Sequence, residues 1–151
     1  MATTGLSVDE ATRALLLLLP RMVGRAKRIP VPGELRELAL TARHLSMFSY
    51  LLFDGPMTVN ELADRLEIAP TTVSLMVGEL SRKGIVERRE DDADRRRRII
   101  SIADGHRQAI SDWLGRGAGA WRQALGPLTA EQRRLFVDTL RAYEEAIGRR
   151  P

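Results

Sequence analysis

Residues 58–84 read TVNELADRLEIAPTTVSLMVGELSRKG, a stretch that predicts two short helices joined by a tight turn. Thr58 and Glu61 have the spacing of a capping box, in which each side chain satisfies a free backbone N–H of the first turn. Pro70 suits the first position of the second helix, because an N–H at that position has no helical partner. Gly84 then ends this helix, since glycine readily adopts the left-handed conformation of a C-terminal cap.

The second predicted helix, from about Thr71 to Lys83, has two different faces. Its apolar side chains fall within one narrow sector that must face a core, and they are Val73, Met76, Val77 and Leu80. The opposite face is small and polar, with Thr71, Thr72, Ser74, Leu75 and Arg82 on it or beside it. Hydroxyl groups bond bases or phosphates, and a leucine contacts a thymine methyl. We therefore expect this face to bind DNA, with a merely solvated surface as the alternative.

A basic hairpin is predicted directly after these helices. Residues 85–89 and 98–102 are rich in β-branched side chains, and residues 90–94 are typical of a turn. Four arginines then follow one another from Arg95 to Arg98. Alternate side chains of a strand point to opposite faces, so these four cannot all reach one groove. We expect Arg95, Arg96 and Arg98 to contact DNA, and Asp94 to pair with a neighbouring arginine.

Two helices followed by a basic hairpin predict a winged helix-turn-helix, a mainly helical fold with one small β hairpin. Such a fold places its second helix in the major groove, while its hairpin reaches a backbone or a minor groove. The winged region is expected to cover about residues 41–102. The net charge of +4 and the sequence pI of about 10.3 permit a polyanionic partner without demonstrating one.

Amphipathic helices are predicted on both sides of this region, at about residues 8–28 and 104–147. The first of them is apolar on several faces, which for a terminal helix indicates a partner subunit. A tightly enclosed core helix is the alternative. The candidate dimerisation residues are Leu15, Leu16, Leu18 and Leu19 in the first helix and Phe136, Leu140, Tyr143 and Ile147 in the last.

Composition argues against several other classes of protein. The chain has no cysteine, which excludes disulfides and thiolate metal sites. No apolar run reaches the roughly 18 residues of a membrane span, and the N-terminus lacks a secretion signal, so we expect a cytoplasmic protein. The sequence has no catalytic triad order, phosphate-binding loop or metal-ligand cluster, so neither an enzyme nor a cofactor is expected. Residues 1–151 are predicted to form a single domain.

The two histidines, His44 and His106, lie on different predicted helices. His44 is expected to be a partly buried helix residue rather than a catalyst. Together with Met47, it is also a candidate for the wall of a small-molecule pocket near the dimer-facing helices.

Several short motifs in residues 40–102 resemble the MarR family of bacterial winged-helix transcriptional regulators. They are Leu40-Thr41, Leu62-Ala63, Thr71-Thr72-Val73-Ser74, Leu80 to Val86, and the acidic and arginine-rich wing from Asp91 to Arg96. The resemblance implies a homodimer, held by its N- and C-terminal helices, that binds a pseudo-palindromic operator. It also implies a repressor that in many members is released from DNA by a small, often aromatic, acid.

The chain departs from the family pattern at the centre of the second helix. Leu75 occupies a position where the family often has arginine, which puts guanine reading in doubt and shifts weight to the wing. Two other functions stay open: a winged helix that binds protein, and one that binds nucleic acid without sequence preference. Steep salt dependence distinguishes DNA binding from protein binding, because only contacts with phosphates weaken strongly as salt rises. Competition by random duplex identifies binding without sequence preference.

Overall fold

The computed structural model describes residues 5–148, except for the side chain of Ala42. The chain divides into two compact units, Met1–Gly115 and Arg116–Pro151. The described residues form the elements α1 (Val8–Ala26), α2 (Gly33–Arg36), α3 (Ala42–Phe53), α4 (Val59–Leu66), α5 (Pro70–Arg82), β1 (Val86–Glu90), β2 (Arg98–Ile102), α6 (Asp104–Leu125) and α7 (Ala130–Gly148). The fold is therefore mainly helical with one hairpin, as predicted.

Local sequence signals set the ends of α4 and α5. The N–H of Thr58 donates to Oε2 of Glu61 at 2.8 Å, and the N–H of Glu61 donates to Oγ1 of Thr58 at 3.2 Å, which completes the predicted capping box. Gly84 has a φ of +72°, and the N–H of Ile85 reaches the carbonyl of Leu80 at 2.9 Å. Between the two helices, Glu67 has a φ of +53°, a left-handed conformation that costs a residue with a Cβ roughly 1–2 kcal/mol.

The hydrophobic core of the first unit lies beneath α5 and the hairpin. The four apolar residues predicted for the inner face of α5 are all buried: Val73, Met76, Val77 and Leu80. They belong to one cluster with buried side chains of α3, α4, β2 and α6, among them Phe48, Leu62, Ile100 and Ile110. Burial of this face fixes the rotation of α5, so the opposite face of the helix is turned to solvent.

The apolar face of the hairpin is covered by the core, and on the opposite face Ser101 of β2 is also buried. Val86 pairs with Ile102, and all three of Val86, Ile100 and Ile102 are buried, whereas the other residues of β1 are exposed. Met57, just before α4, bonds to Ile100 through both backbone groups, at 2.7 and 3.1 Å. These bonds attach the hairpin to the start of the helix-turn-helix.

Helices α1 and α7 contain no buried residue in the single chain. Helix α1 begins at a second capping box, Ser7 with Glu10, and continues through Pro20 to Ala26, two residues short of the predicted end. None of the described helices has the length and apolar character required to cross a bilayer.

Candidate nucleic-acid interface

The outer face of α5 presents the side chains that the sequence predicts. Thr71, Ser74, Leu75 and Arg82 are exposed, and Thr72 is half-buried. Leu75 has a fractional exposure of 75%, so its apolar side chain projects from the helix almost entirely uncovered. This face is thus small, polar and unobstructed around one protruding leucine.

An open groove separates this face from the hairpin, and its volume is about 990 Å³. We call it the wing–helix groove. Its walls are Thr58, Val59, Asn60 and Glu61 from the start of α4, Pro70, Thr71, Ser74 and Leu75 from the first half of α5, and Arg96, Arg97 and Arg98 from the hairpin. Of the candidate DNA contacts, the groove is lined by Thr71, Ser74, Leu75, Arg96 and Arg98, whereas Thr72, Arg82 and Arg95 are not among its lining residues.

Asp94 organises the tip of the wing. Its Oδ1 accepts a hydrogen bond from the N–H of Arg96 at 3.0 Å, and its carbonyl accepts one from the N–H of Arg97 at 2.9 Å. The same Oδ1 lies 3.5 Å from Nε of Arg96, whose side chain is 94% exposed. A short turn built around one carboxylate thus projects the guanidinium of Arg96 into solvent, with exposed Arg95 beside it.

The other two arginines of the run are engaged with carboxylates. Arg97 donates to Oε1 of Glu61 at 3.1 Å and lies 3.7 Å from Oδ2 of Asp91. Arg98 lies 3.7 Å from Oε1 of Glu90, its cross-strand partner. The contact between Arg97 and Glu61 was not predicted from the sequence, because 36 residues separate them and no local pattern relates the two.

Glu61 serves both the helix start and the wing. Its Oε2 accepts from the backbone of Thr58, while its Oε1 accepts from Arg97. The backbone N–H of Thr58 is the main cause that lowers the pKa of this carboxyl, and the positive charge of Arg97 adds to it. The carboxylate therefore stays ionised at neutral pH and holds both partners.

His44 and Met47, the candidate pocket residues, are both buried in the structure. Nδ1 of His44 accepts from the N–H of Thr41 at 2.9 Å, which makes His44 part of the cap of α3, and burial lowers its pKa. Met47 has no exposed surface and belongs to the core. A ligand would reach Met47 only if the core opened, so a role of these residues in ligand binding stays a prediction.

The candidate dimerisation residues are mostly exposed in the single chain. Leu15, Leu16 and Leu18 of α1 are exposed, and Leu19 is half-buried. In the second unit, Leu140, Tyr143 and Ile147 are exposed, whereas Phe136 packs its ring 5.8 Å from that of Trp121. Within residues 5–148, no group of three potential metal ligands was found.

A sequence model of the MarR family matches residues 40–97, the span from the start of α3 to the wing. Over these residues the chain is similar to the MarR family, and its fold there is a winged helix-turn-helix. The chain is 30% identical over 71 residues to the HTH-type transcriptional repressor MdtR of Bacillus subtilis (strain 168), a match that covers 47% of the chain and 46% of the relative. It is 24% identical over 109 residues to the HTH-type transcriptional regulator YdgJ of the same organism, and this match covers 72% of the chain and 66% of the relative. The matches thus span about half to two thirds of these relatives, which are regulators rather than enzymes.

Solved structures of the MarR family share this fold. MepR of S. aureus in its DNA-binding conformation has a TM-score of 0.68 at 18% identity, covering 91% of this chain and 98% of that one. A MarR family protein from Bacillus stearothermophilus has a TM-score of 0.62 at 20% identity, covering 95% of this chain and 100% of that one. A MepR variant bound to an oligodeoxyribonucleotide has a TM-score of 0.56 at 20% identity, covering 91% of this chain and 97% of that one.

Proposed function

We propose that this chain is a transcriptional regulator of the MarR family that binds duplex DNA of defined sequence as a homodimer. The wing–helix groove is the observation that carries the proposal. One wall is the exposed first half of α5, which has the dimensions to enter a major groove, and another is a set of wing arginines suited to the negative potential of a narrow minor groove. The oligodeoxyribonucleotide-bound MepR variant, which shares the fold, supports this mode of binding.

Within this proposal, Thr71, Thr72, Ser74 and Leu75 contact base edges or nearby phosphates, and Arg82, Arg95, Arg96 and Arg98 contact the backbone or the minor groove. Asp94 is a positioning residue that orients Arg96. Because Leu75 has no hydrogen-bonding group, it reads the C5 methyl of a thymine rather than a guanine edge.

Exposed apolar side chains of α1 and of α7 support the proposed homodimer. Leu16 is 65% exposed and Ile147 is 65% exposed, and several further large apolar side chains of these helices are also uncovered. Large uncovered apolar patches are typical of protein interfaces. A two-fold dimer presents two copies of α5 to half-sites about one helical turn apart, roughly 34 Å, which accounts for a pseudo-palindromic operator.

Repression is the regulatory outcome we propose, because the relative MdtR is named a repressor. Release by a small aromatic or acidic effector is proposed from the family resemblance alone, with His44 and Met47 as candidate contacts. A regulator of chromosomal genes acts in the cytoplasm, where its DNA is.

The test is selection of bound duplexes from a random pool by the full chain, followed by fluorescence anisotropy with the recovered duplex over a range of salt. The proposal predicts an enriched inverted repeat, and an affinity whose logarithm falls with the logarithm of salt by about 0.9 for each phosphate contacted. Binding of random duplex with equal affinity indicates a non-specific binder. Failure to bind any duplex at low salt contradicts the proposal and favours a module that binds protein.

A further inference from the structure

Two arginines from different elements meet beside Gly78, on the second half of α5. A Cβ added at Gly78 would lie 3.7 Å from Nη1 of Arg82 and 3.7 Å from Nη2 of Arg88. Both guanidinium groups therefore border the same small space, and they are no farther apart than the sum of these two distances. This space lies beyond the wing–helix groove, whose α5 residues all precede Met76.

The fold brings these two side chains together by two independent routes. Arg82 follows Gly78 by four residues, so both lie on one face of α5. Arg88 pairs with the buried Ile100 across the hairpin, and directly opposed residues share a face of the sheet. The side chain of Arg88 thus leaves the hairpin on its covered face and reaches α5 at the one position without a side chain.

No carboxylate forms an ion pair with either guanidinium within the part of the chain that the structure describes. None of its ion pairs, defined by a separation of 4.0 Å or less, involves Arg82 or Arg88. Glu79, the neighbour of Gly78, forms its ion pair with Lys83 at 3.0 Å. The hydrogen bond from Lys83 is the main cause that lowers the pKa of Glu79, and the positive charge of Arg82 is the smallest. Two positive charges this close repel one another, and a bound anion between them would relieve the repulsion.

We propose that Arg82 and Arg88 clamp one phosphodiester of the DNA backbone in each half-site, in the space that Gly78 leaves open. The clamp rests on the proposed function and adds an anchor at the second half of α5. A phosphodiester carries two non-bridging oxygens, one for each guanidinium, and such charge-assisted hydrogen bonds are among the strong ones in proteins. Glycine keeps the site free of any side chain that would compete for the two cations.

The test places an internal competitor in the clamp. In Gly78→Asp, the new carboxylate lies beside both guanidinium groups and takes the place of the phosphate. Gly78→Asn is the matched control, because it has nearly the same size and helix propensity without the charge. Both variants are titrated with the duplex selected from the random pool, at several salt concentrations, after circular dichroism has shown unchanged helicity.

We expect Gly78→Asp to bind roughly tenfold more weakly per half-site than Gly78→Asn at low salt, because both side chains fill the same space and only the carboxylate neutralises the two guanidinium groups. The salt slope of Gly78→Asp should also fall by about 0.9 for each half-site, the value for one lost phosphate contact. Equal affinity and slope for the two variants overturn the clamp and leave the proposed function intact. If the unsubstituted chain binds no duplex, both are overturned.

A second measurement identifies the phosphate and does not depend on the folding of a Gly78 variant. Methylphosphonate replaces each backbone phosphate of the duplex in turn, which removes its charge. Methylphosphonate at one position in each half-site should weaken binding by the unsubstituted chain more than binding by Arg88→Gln, which retains only the contact from Arg82. If every position weakens both proteins equally, Arg88 contacts no phosphate and the clamp is wrong.

Discussion

The guanidinium of Arg97 donates to Oε1 of Glu61 across 3.1 Å, while Oε2 of the same carboxylate accepts from the backbone of Thr58 at 2.8 Å. One side chain therefore ties the wing to the start of α4 and caps that helix. The two sides of the wing–helix groove are joined by this contact, since both Glu61 and Arg97 belong to its walls.

The two roles of Glu61 are separable by substitution. Glu61→Gln retains an acceptor for the N–H of Thr58 and loses the charge, so we expect a loss of about 0.2–1 kcal/mol, the range for exposed ion pairs. Glu61→Ala also removes the cap, and we expect a further loss of about 1 kcal/mol. Urea denaturation followed by circular dichroism measures both. Equal stabilities of the two variants would show that Glu61 contributes nothing to the cap.

Arg96 at the tip of the wing is expected to contribute directly to DNA binding. Because its side chain is 94% exposed and Asp94 orients it, Arg96→Ala should remove a contact with the duplex without altering the core. We expect roughly tenfold weaker binding at low salt. Arg141→Ala, which removes an exposed arginine of α7, is the control in the same anisotropy titration. Unchanged affinity of Arg96→Ala would remove the tip from the interface.

Leu75 is expected to read a thymine methyl. Replacing the contacted thymine of each half-site by uracil removes only that methyl, so binding by the unsubstituted chain should weaken by about 0.8 kcal/mol per half-site. Leu75→Ala should bind more weakly overall and distinguish thymine from uracil less. Uracil is scanned through all thymines of the selected duplex. If no position weakens the unsubstituted chain more than Leu75→Ala, the assignment is wrong.

His44 is expected to make the stability of the fold depend on pH. Burial is the main cause that lowers its pKa from 6.5; the charge of Glu79 opposes this shift, and those of Lys83 and Arg43 add to it. As the pH falls below 6.5, the unfolded chain takes up a proton on this residue while the folded chain does not, so stability decreases. Protonation in the folded state would also remove the acceptor that holds the N–H of Thr41.

The measurement is the free energy of unfolding of the chain and of His44→Gln between pH 7.5 and pH 5. The unsubstituted chain should lose its advantage in free energy of unfolding over His44→Gln as the pH falls. Only the unsubstituted chain has the buried imidazole whose protonation favours the unfolded state. His106→Gln, at the other histidine, is the control. A constant difference over this range would contradict the assignment.

Leu16 is expected to lie in the dimer interface. The side chain is 65% exposed in the single chain, so Leu16→Glu should leave the fold intact and place a charge in the apolar contact between subunits. Sedimentation should then show monomers, together with loss of affinity for the inverted repeat. Leu16→Met keeps the position apolar and should remain a dimer. A dimer in Leu16→Glu would move the interface elsewhere.

Local spacing was sufficient to predict most of the first unit. The capping box of Thr58, the first-turn Pro70 and the left-handed Gly84 each depend on residues within one turn of chain, and all three were confirmed. The buried face of α5 was confirmed for the same reason, because helical periodicity alone decides which side chains share a face.

The sequence could not predict which arginines of the wing pair with carboxylates. A run of four cations indicates a basic wing and shows nothing about which of them find carboxylates. Arg97 meets Glu61 only because the hairpin is attached to the start of α4, and Arg88 reaches Gly78 only because of the strand register. Likewise, the sequence offered His44 and Met47 as pocket residues, whereas packing placed Met47 in the core.

The amino-acid sequence by itself determined where the helices of the winged region begin and end, which side of α5 is apolar, and that a basic hairpin follows. These properties depend on neighbours along the chain, and short-range sterics and hydrogen bonds suffice to fix them. Only the tertiary structure decided which carboxylate each wing arginine meets: Glu61 and Asp91 for Arg97, and Glu90 for Arg98. That choice depends on distances between residues far apart in sequence, which exist only once the core has packed.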